Sequence, residues 1–245
     1  VAAGLADALA VTQGPVDPAV FLARMMDLRG SVDLAQGLEA TGASGGELAP
    51  ASRADLRAIV VERTAALREG VLRTLADPFQ RRSRLPTPEQ VVTTLLEHGV
   101  LVDGGGRPVA AAADAIWSPC GALLARVLDG VRFELAALRE ELGPRLAALG
   151  LAVARLERLD AALVGATAKG RAALEERLLS ALGPSFASRF ASAVAGSPRP
   201  VTPALVGCWF EAGGLLRAEI DRGRDAVLAI LDHDRRRLLA LVTDR

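Results

Sequence analysis

The chain has 245 residues, 51% of them hydrophobic and 24% charged, enough to bury a sizeable core and unlike the polar make-up of a disordered segment. Its 29 basic and 29 acidic residues cancel, which excludes a global field that would draw in nucleic acid or an anionic membrane. Aromatic residues are 3% with no Tyr, while Ala, Leu and Arg dominate; that mixture suits close helix packing and not a β-sandwich, so the expected fold is all-α.

After a loose start over 1–16, Asp17-Pro18 caps a helix carrying Val20, Phe21, Met25 and Leu28 and stopped by Gly30; a second short helix follows over 32–41. The Gly- and Ser-rich stretch 42–50 reads as a loop. Ser52-Arg53-Ala54-Asp55 then opens a long helix with Leu56, Ile59, Val60, Leu67, Val71, Leu72 and Leu75, ended by Asp77-Pro78. An exposed connection over 80–86 carries Arg81, Arg82 and Arg84. Thr87-Pro88-Glu89-Gln90 is the clearest capping box in the chain, followed by Val91, Val92, Leu95 and Leu96 and closed by Gly99. Val100-Leu101-Val102, the turn residues Asp103-Gly104-Gly105-Gly106 and Val109 fit a small β-hairpin over 100–109.

The organising stretch is central. Ser118-Pro119 is a helix-start signal, and Leu124, Leu128, Val131, Leu135, Leu138 and Leu142 recur at alternating steps of four and three, a heptad seam. At Gly143-Pro144 the pattern slips and Pro144 cannot donate to the carbonyl of Glu140, so a kink or a break is expected. The seam resumes through Leu149, Val153, Leu156, Leu159 and Leu163 and later Leu174, Leu178 and Leu182; with Gly150 between, this predicts two long antiparallel helices. Gly183-Pro184 leads into a short helix with Phe186 and Phe190, and the Pro-rich segment 197–203 is a stiff linker. Thr202-Pro203 starts the last helical region, with Val206, Trp209 and Phe210. After Gly213-Gly214 it continues through Leu216, Ile220, Val227, Leu231 and Leu238. One domain is expected.

Candidate chemistry is thin. Gly42-Ala43-Ser44-Gly45-Gly46 has the letters of a nucleophile elbow but no strand before it. The triple glycine 104–106 is followed by Arg107-Pro108, not by the lysine of a phosphate loop, and Lys169, the single lysine, lies in no such motif. His233 between Asp232 and Asp234 invites a metal, yet helical neighbours diverge; Glu140-Glu141 and Glu175-Glu176 fail as acid–base pairs for the same reason and read as solvated faces. Arg235-Arg236-Arg237 also reads as a solvated face, and His98 as a partner for terminal helix carbonyls. Cys120 and Cys208 stand far apart with no CxxC, which suits two thiols in a reducing compartment. No cofactor or metal is expected. Helix 88–98 with the hairpin behind it suggests a winged helix, although that helix has no Lys or Arg for phosphate. Residues 1–14 lack a cationic lead, and no apolar run approaches the ~18 residues that cross a bilayer, so a cytoplasmic protein without a transmembrane segment is expected.

Three stretches carry a family likeness: Phe21…Asp27-Leu28…Val32-Asp33-Leu34-Ala35…Leu38-Glu39-Ala40, then Leu156-Glu157-Arg158-Leu159-Asp160-Ala161-Ala162-Leu163, then Leu215-Leu216-Arg217-Ala218-Glu219-Ile220-Asp221. Together they resemble an uncharacterised proteobacterial family of helical proteins often encoded beside MotA/TolQ/ExbB-type proton-channel components and OmpA-like proteins. The chain departs from that pattern at Arg29-Gly30, where an aromatic and an acidic or polar pair is expected. The resemblance implies no activity that transfers residue by residue. It agrees with the residue-level reading in pointing to a non-enzymatic adaptor that binds a protein partner or a second copy of itself, in an envelope-associated assembly, through a helical face. The candidate contact residues are Trp209, Phe210, Leu128 and Leu135. The rival readings are a winged-helix-like DNA-binding regulator and an enzyme of unidentified type.

Overall fold

The computed structural model describes residues 52–79, 85–100, 106–197 and 201–243. The expected helices over 17–30 and 32–41, the elbow-like 42–46, most of the glycine turn 103–106 and the arginines of 81–84 lie outside the described residues. Among those described, the fold is an all-α bundle: α1 (Arg53–Ala76), α2 (Pro88–Glu97), α3 (Gly106–Ala147), α4 (Leu151–Ser180), α5 (Leu182–Gly196), the short α6 (Pro203–Gly207) and α7 (Leu215–Val242).

Both capping boxes form. Ser52 Oγ accepts from the Asp55 amide at 3.1 Å; its hydroxyl donates to Asp55 Oδ2 at 2.7 Å and the Ser52 amide donates to the same oxygen at 3.1 Å, and these two bonds to the carboxylate hold it below its usual pKa. At α2 the Thr87 amide donates to Gln90 Oε1 at 2.9 Å and the Gln90 amide to Thr87 Oγ1 at 3.3 Å. Gly99, with φ +67°, ends the following turn in the left-handed region that favours glycine.

Three expectations are corrected. The hairpin expected over 100–109 is contradicted at its described ends, where Val100 and Val109 are both helical, Val109 within α3; Arg107-Pro108 near the start of α3 suits a helix start better than a strand. Ser118-Pro119 is not a helix start. The apolar stripe that begins at Leu124 extends upstream through Cys120, Ile116, Ala112 and Val109, all buried, and their burial outweighs the amide bond that Pro119 cannot make to the Ala115 carbonyl. Nor does the helix break at Gly143-Pro144: it runs through Pro144 to Ala147, 42 residues or ~63 Å, with Leu146 buried one turn beyond Leu142. The chain then reverses at Gly150, whose φ of +122° no L side chain adopts without strain.

Each helix of the bundle's middle is antiparallel or parallel as its cross-links dictate. Arg132 meets Glu175 and Arg139 approaches Asp160, so α3 and α4 run antiparallel, as the sequence predicts. Leu124 lies against Gly223 and Arg139 near Asp234, so α3 and α7 run parallel. Arg68 pairs with Asp232 and Arg217 donates to the Ala76 carbonyl, which sets α1 antiparallel to α7. The buried side chains, from Leu56 through Leu124, Phe186, Leu216 and Ile220 to Val242, make one core. A row of rings runs through it: Trp117 stacks on Phe186 at 5.4 Å, Phe186 meets Phe190 at 5.5 Å, and Phe190 meets Trp209 edge-on at 5.7 Å.

Two glycines are required by close approach. A Cβ on Gly214 would sit 2.1 Å from the Cys208 carbonyl oxygen, in the turn where the Trp209 carbonyl accepts from both Leu216 and Arg217. A Cβ on Gly223 would sit 2.3 Å from Leu124 Cδ1, a side chain itself fully buried. Gly223→Ala is therefore expected to lower unfolding free energy by about 1–3 kcal/mol through overpacking. Gly165→Ala, on α4 where a Cβ meets open space, is expected to raise it by about 0.5–1 kcal/mol. Urea denaturation of both variants tests the pair, and equal effects would contradict the packing.

Candidate functional site

The inward stripe of α4 is polar. Val153, Glu157, Asp160, Val164, Thr167, Arg171 and Glu175 recur at three- and four-residue steps and are buried or half-buried. The leucines expected in the seam, Leu156, Leu159 and Leu174, sit one residue earlier in the same rhythm and are 46%, 39% and 38% exposed. One residue is a rotation of about 100° around the helix, enough to carry a stripe from the core to the surface.

Against that inward stripe lies a cluster of arginines and carboxylates shared by α3, α4 and α7. Arg171 grips Asp234 with both terminal nitrogens, one of them at 2.7 Å, and its Nε donates to Glu175 Oε1 at 2.7 Å. The other Glu175 oxygen accepts from Arg132 Nε at 2.8 Å, and Arg237 reaches Asp160 at 2.6 Å. Burial opposes the charge on Arg171, but the hydrogen bonds to Asp234 and Glu175 and their charges outweigh it and raise its pKa. Arg139 is the weak member. Its Nη2 is 3.7 Å from Asp234 and 4.0 Å from Asp160, its Nε and Nη2 are buried without a hydrogen-bond partner, and burial lowers its pKa against the pull of both aspartates. Glu157, half-buried beside Gly143, is pushed up by burial and by Asp160 against the opposing charge of Arg158. Every one of these carboxylates but Glu157 is taken up by guanidinium groups, an arrangement that fixes the rotation of the helices.

The residues singled out from sequence fall as follows. Leu128, Leu135 and Trp209 are buried, and Phe210 is partly buried with its ring 4.8 Å from Phe79; these four fill the core instead of forming a contact face, because α3 turns its leucine stripe inward and the ring row draws Trp209 in. Glu175 and Arg237, read as solvated, are internal, since each has an opposite charge waiting on a facing helix. Asp232 and Asp234 do diverge around the exposed His233, one to Arg68 on α1 and the other to Arg171 on α4. Cys120 is buried, which pushes its thiol up to about 12, while Cys208 is exposed. No group of three metal-ligating side chains occurs among the described residues. A wing beside α2 is likewise absent among them, Val109 being helical.

Surface apolarity lies where the sequence reading did not place it. Phe133 of α3 is 72% exposed and Leu151 of α4 65%. Phe133 lines a groove of about 580 Å³ between α1 and α3, together with Ala66, Gly70, Val127 and Gly130. A second groove, about 430 Å³ between α3 and α4, is lined by Trp117, Gly121, Ala125, Asp129, Ala172 and Glu176. Within α3, Val109–Ala147 is long and apolar enough to cross a membrane by length and composition alone, a property also met in core helices such as this one, whose stripe packs on α4, α5 and α7. The molecule is thus a helical bundle with ionic internal wiring and apolar outer faces. Compared with known proteins, the chain matches no family model, no curated relative and no solved structure.

Asp234→Ala takes from Arg171 its bidentate partner and from Arg139 its nearest carboxylate and is expected to cost about 3 kcal/mol, whereas Arg171→Met combined with Asp234→Leu recovers part of that loss in urea denaturation, Arg139 still lacking its aspartate. Glu157 has a folded-state pKa above its ordinary 4.5, so its ionised form is disfavoured by folding. Glu157→Gln should therefore raise the melting temperature at neutral pH, with the gain fading as pH falls through the raised pKa towards 4.5. A gain that persisted unchanged at low pH would contradict this origin.

Proposed function

We propose that this protein is a non-enzymatic adaptor that works by binding another protein through the outer face of α4. The observation that carries the reading is the outward stripe Leu156–Leu159 with Leu174 further along, left open because the inward stripe is spent on the ion-pair cluster. A leucine face on a helix anchored by buried charges is rigid and apolar, and it suits a helix or groove of matching shape on the partner. Exposed Arg155 beside it favours a partner with an acidic flank. The likeness of the sequence to proteins encoded beside MotA/TolQ/ExbB-type components makes an envelope-associated, proton-channel-type assembly the first partner to test.

The experiment is reciprocal capture with tagged protein from the cell of origin, comparing wild type with Leu156→Ser combined with Leu159→Ser. Both positions are already solvent-facing, so the fold should be kept within about 0.5 kcal/mol while partner recovery falls at least tenfold. Unchanged recovery with an intact fold would reject α4 as the contact face.

A further inference from the structure

A different face, on α3, is complementary to itself. Arg126, Gly130 and Phe133 are exposed on it, Phe133 to 72%, and Val127 and Glu134 are half-buried at its edge. Placed antiparallel against a copy of itself with a two-fold axis at Gly130, this stripe sets residue 126 opposite residue 134 and residue 127 opposite residue 133. Arg126 then meets the second copy's Glu134 and Val127 meets the second copy's Phe133, each pair twice by symmetry.

Three features support the match. Arg126 has no carboxylate partner among the described residues; its Nε donates only to the Ala122 carbonyl within its own helix at 3.3 Å. Glu134 is held by Arg63 across the groove at only 3.7 Å with both side chains about half exposed, a contact loose enough to be shared. Gly130, on the axis, has nothing within 4 Å of where a Cβ would be, so two backbones can approach there. The Arg63–Glu134 pair also sets α1 against α3. About two turns along from it Gly70 and Val127 line the same groove, and a Cβ on Gly70 too would meet open space. The second copy's Phe133 is thus delivered to Val127 over a notch at Gly70, in the groove that α1 and α3 form.

We propose that the α1–α3 face is a homodimer interface, a second copy of this chain crossing antiparallel at Gly130 with Phe133 of each copy seated in the other's groove. The interface is separate from the α4 leucines, so a dimer would present two α4 faces to partners.

The test is the mass in solution by light scattering and sedimentation. Wild type is expected at twice 25.5 kDa. Phe133→Ala should raise the dimer dissociation constant about thirtyfold. Gly130→Leu should give monomers with unchanged helical content, since the added side chain has room in the monomer and none on the axis. Arg126→Glu alone and Glu134→Arg alone should each be monomeric, and mixing those two variants should restore a dimer, because only the mixed species has both charge pairs opposite. In a Cys208→Ser background, Gly130→Cys should cross-link into a covalent dimer under mild oxidation. A monomeric wild type, a dimer that survives Gly130→Leu, or a mixture of the two charge variants that stays monomeric would overturn the proposal. Leu156→Ser with Leu159→Ser leaves this interface untouched, so failure of the dimer and failure of the α4 contact are read separately.

Discussion

The bidentate grip of Arg171 on Asp234, extended through Glu175 to Arg132, determines how α4 sits on the bundle. A buried guanidinium without its carboxylate costs several kcal/mol, whereas a leucine left at the surface forgoes only the gain of burying it, about 1.5–3 kcal/mol. With Asp160, Arg171 and Glu175 on one stripe and their partners on α3 and α7, the rotation of α4 that satisfies the charges is the one that leaves Leu156 and Leu159 outside. Small residues on that helix, Ala154 and Ala166, are what it buries instead.

This division gives the two long helices different tasks. α3 buries its leucines from Leu124 to Leu146 and supplies the core, while α4 carries the wiring inward and apolar side chains outward. The α3–α4 pair is therefore not a leucine-on-leucine coiled coil, although both strands of the hairpin have the right rhythm. α7 holds the assembly together, packing on α1, α3, α4 and α5 and bringing Gly223 to Leu124 at a separation only glycine allows.

Much of the outline was legible in local chemistry. Ser52 and Thr87 begin helices because a hydroxyl with an acid or amide three residues on satisfies amides that have no partner in the helix, and that pairing needs nothing from the rest of the chain. Gly150 marks the reversal for a similarly local reason. Pro119 misled because the local rule was weighed without the core: one lost amide bond is small beside the burial of a helix turn carrying Ile116, Trp117 and Cys120. The burial of Leu128, Leu135 and Trp209 was not legible, because period alone says which residues share a stripe and nothing of which way the stripe points. Leu128, Leu135 and Trp209 look no different in sequence from Leu156 and Phe133.

The sequence by itself determined an all-helical fold, the caps, and a long antiparallel hairpin, since composition and spacing act over a few residues at a time. Tertiary structure alone decided which stripe of α4 faces in, that Glu175 is buried and Arg237 partly so while Phe133 is not, and that the helix runs through Pro119 and does not break at Pro144. Those outcomes rest on pairing charges and filling volume between residues tens of positions apart, such as Arg171 and Asp234 or Leu124 and Gly223, and no local pattern encodes which of them will meet.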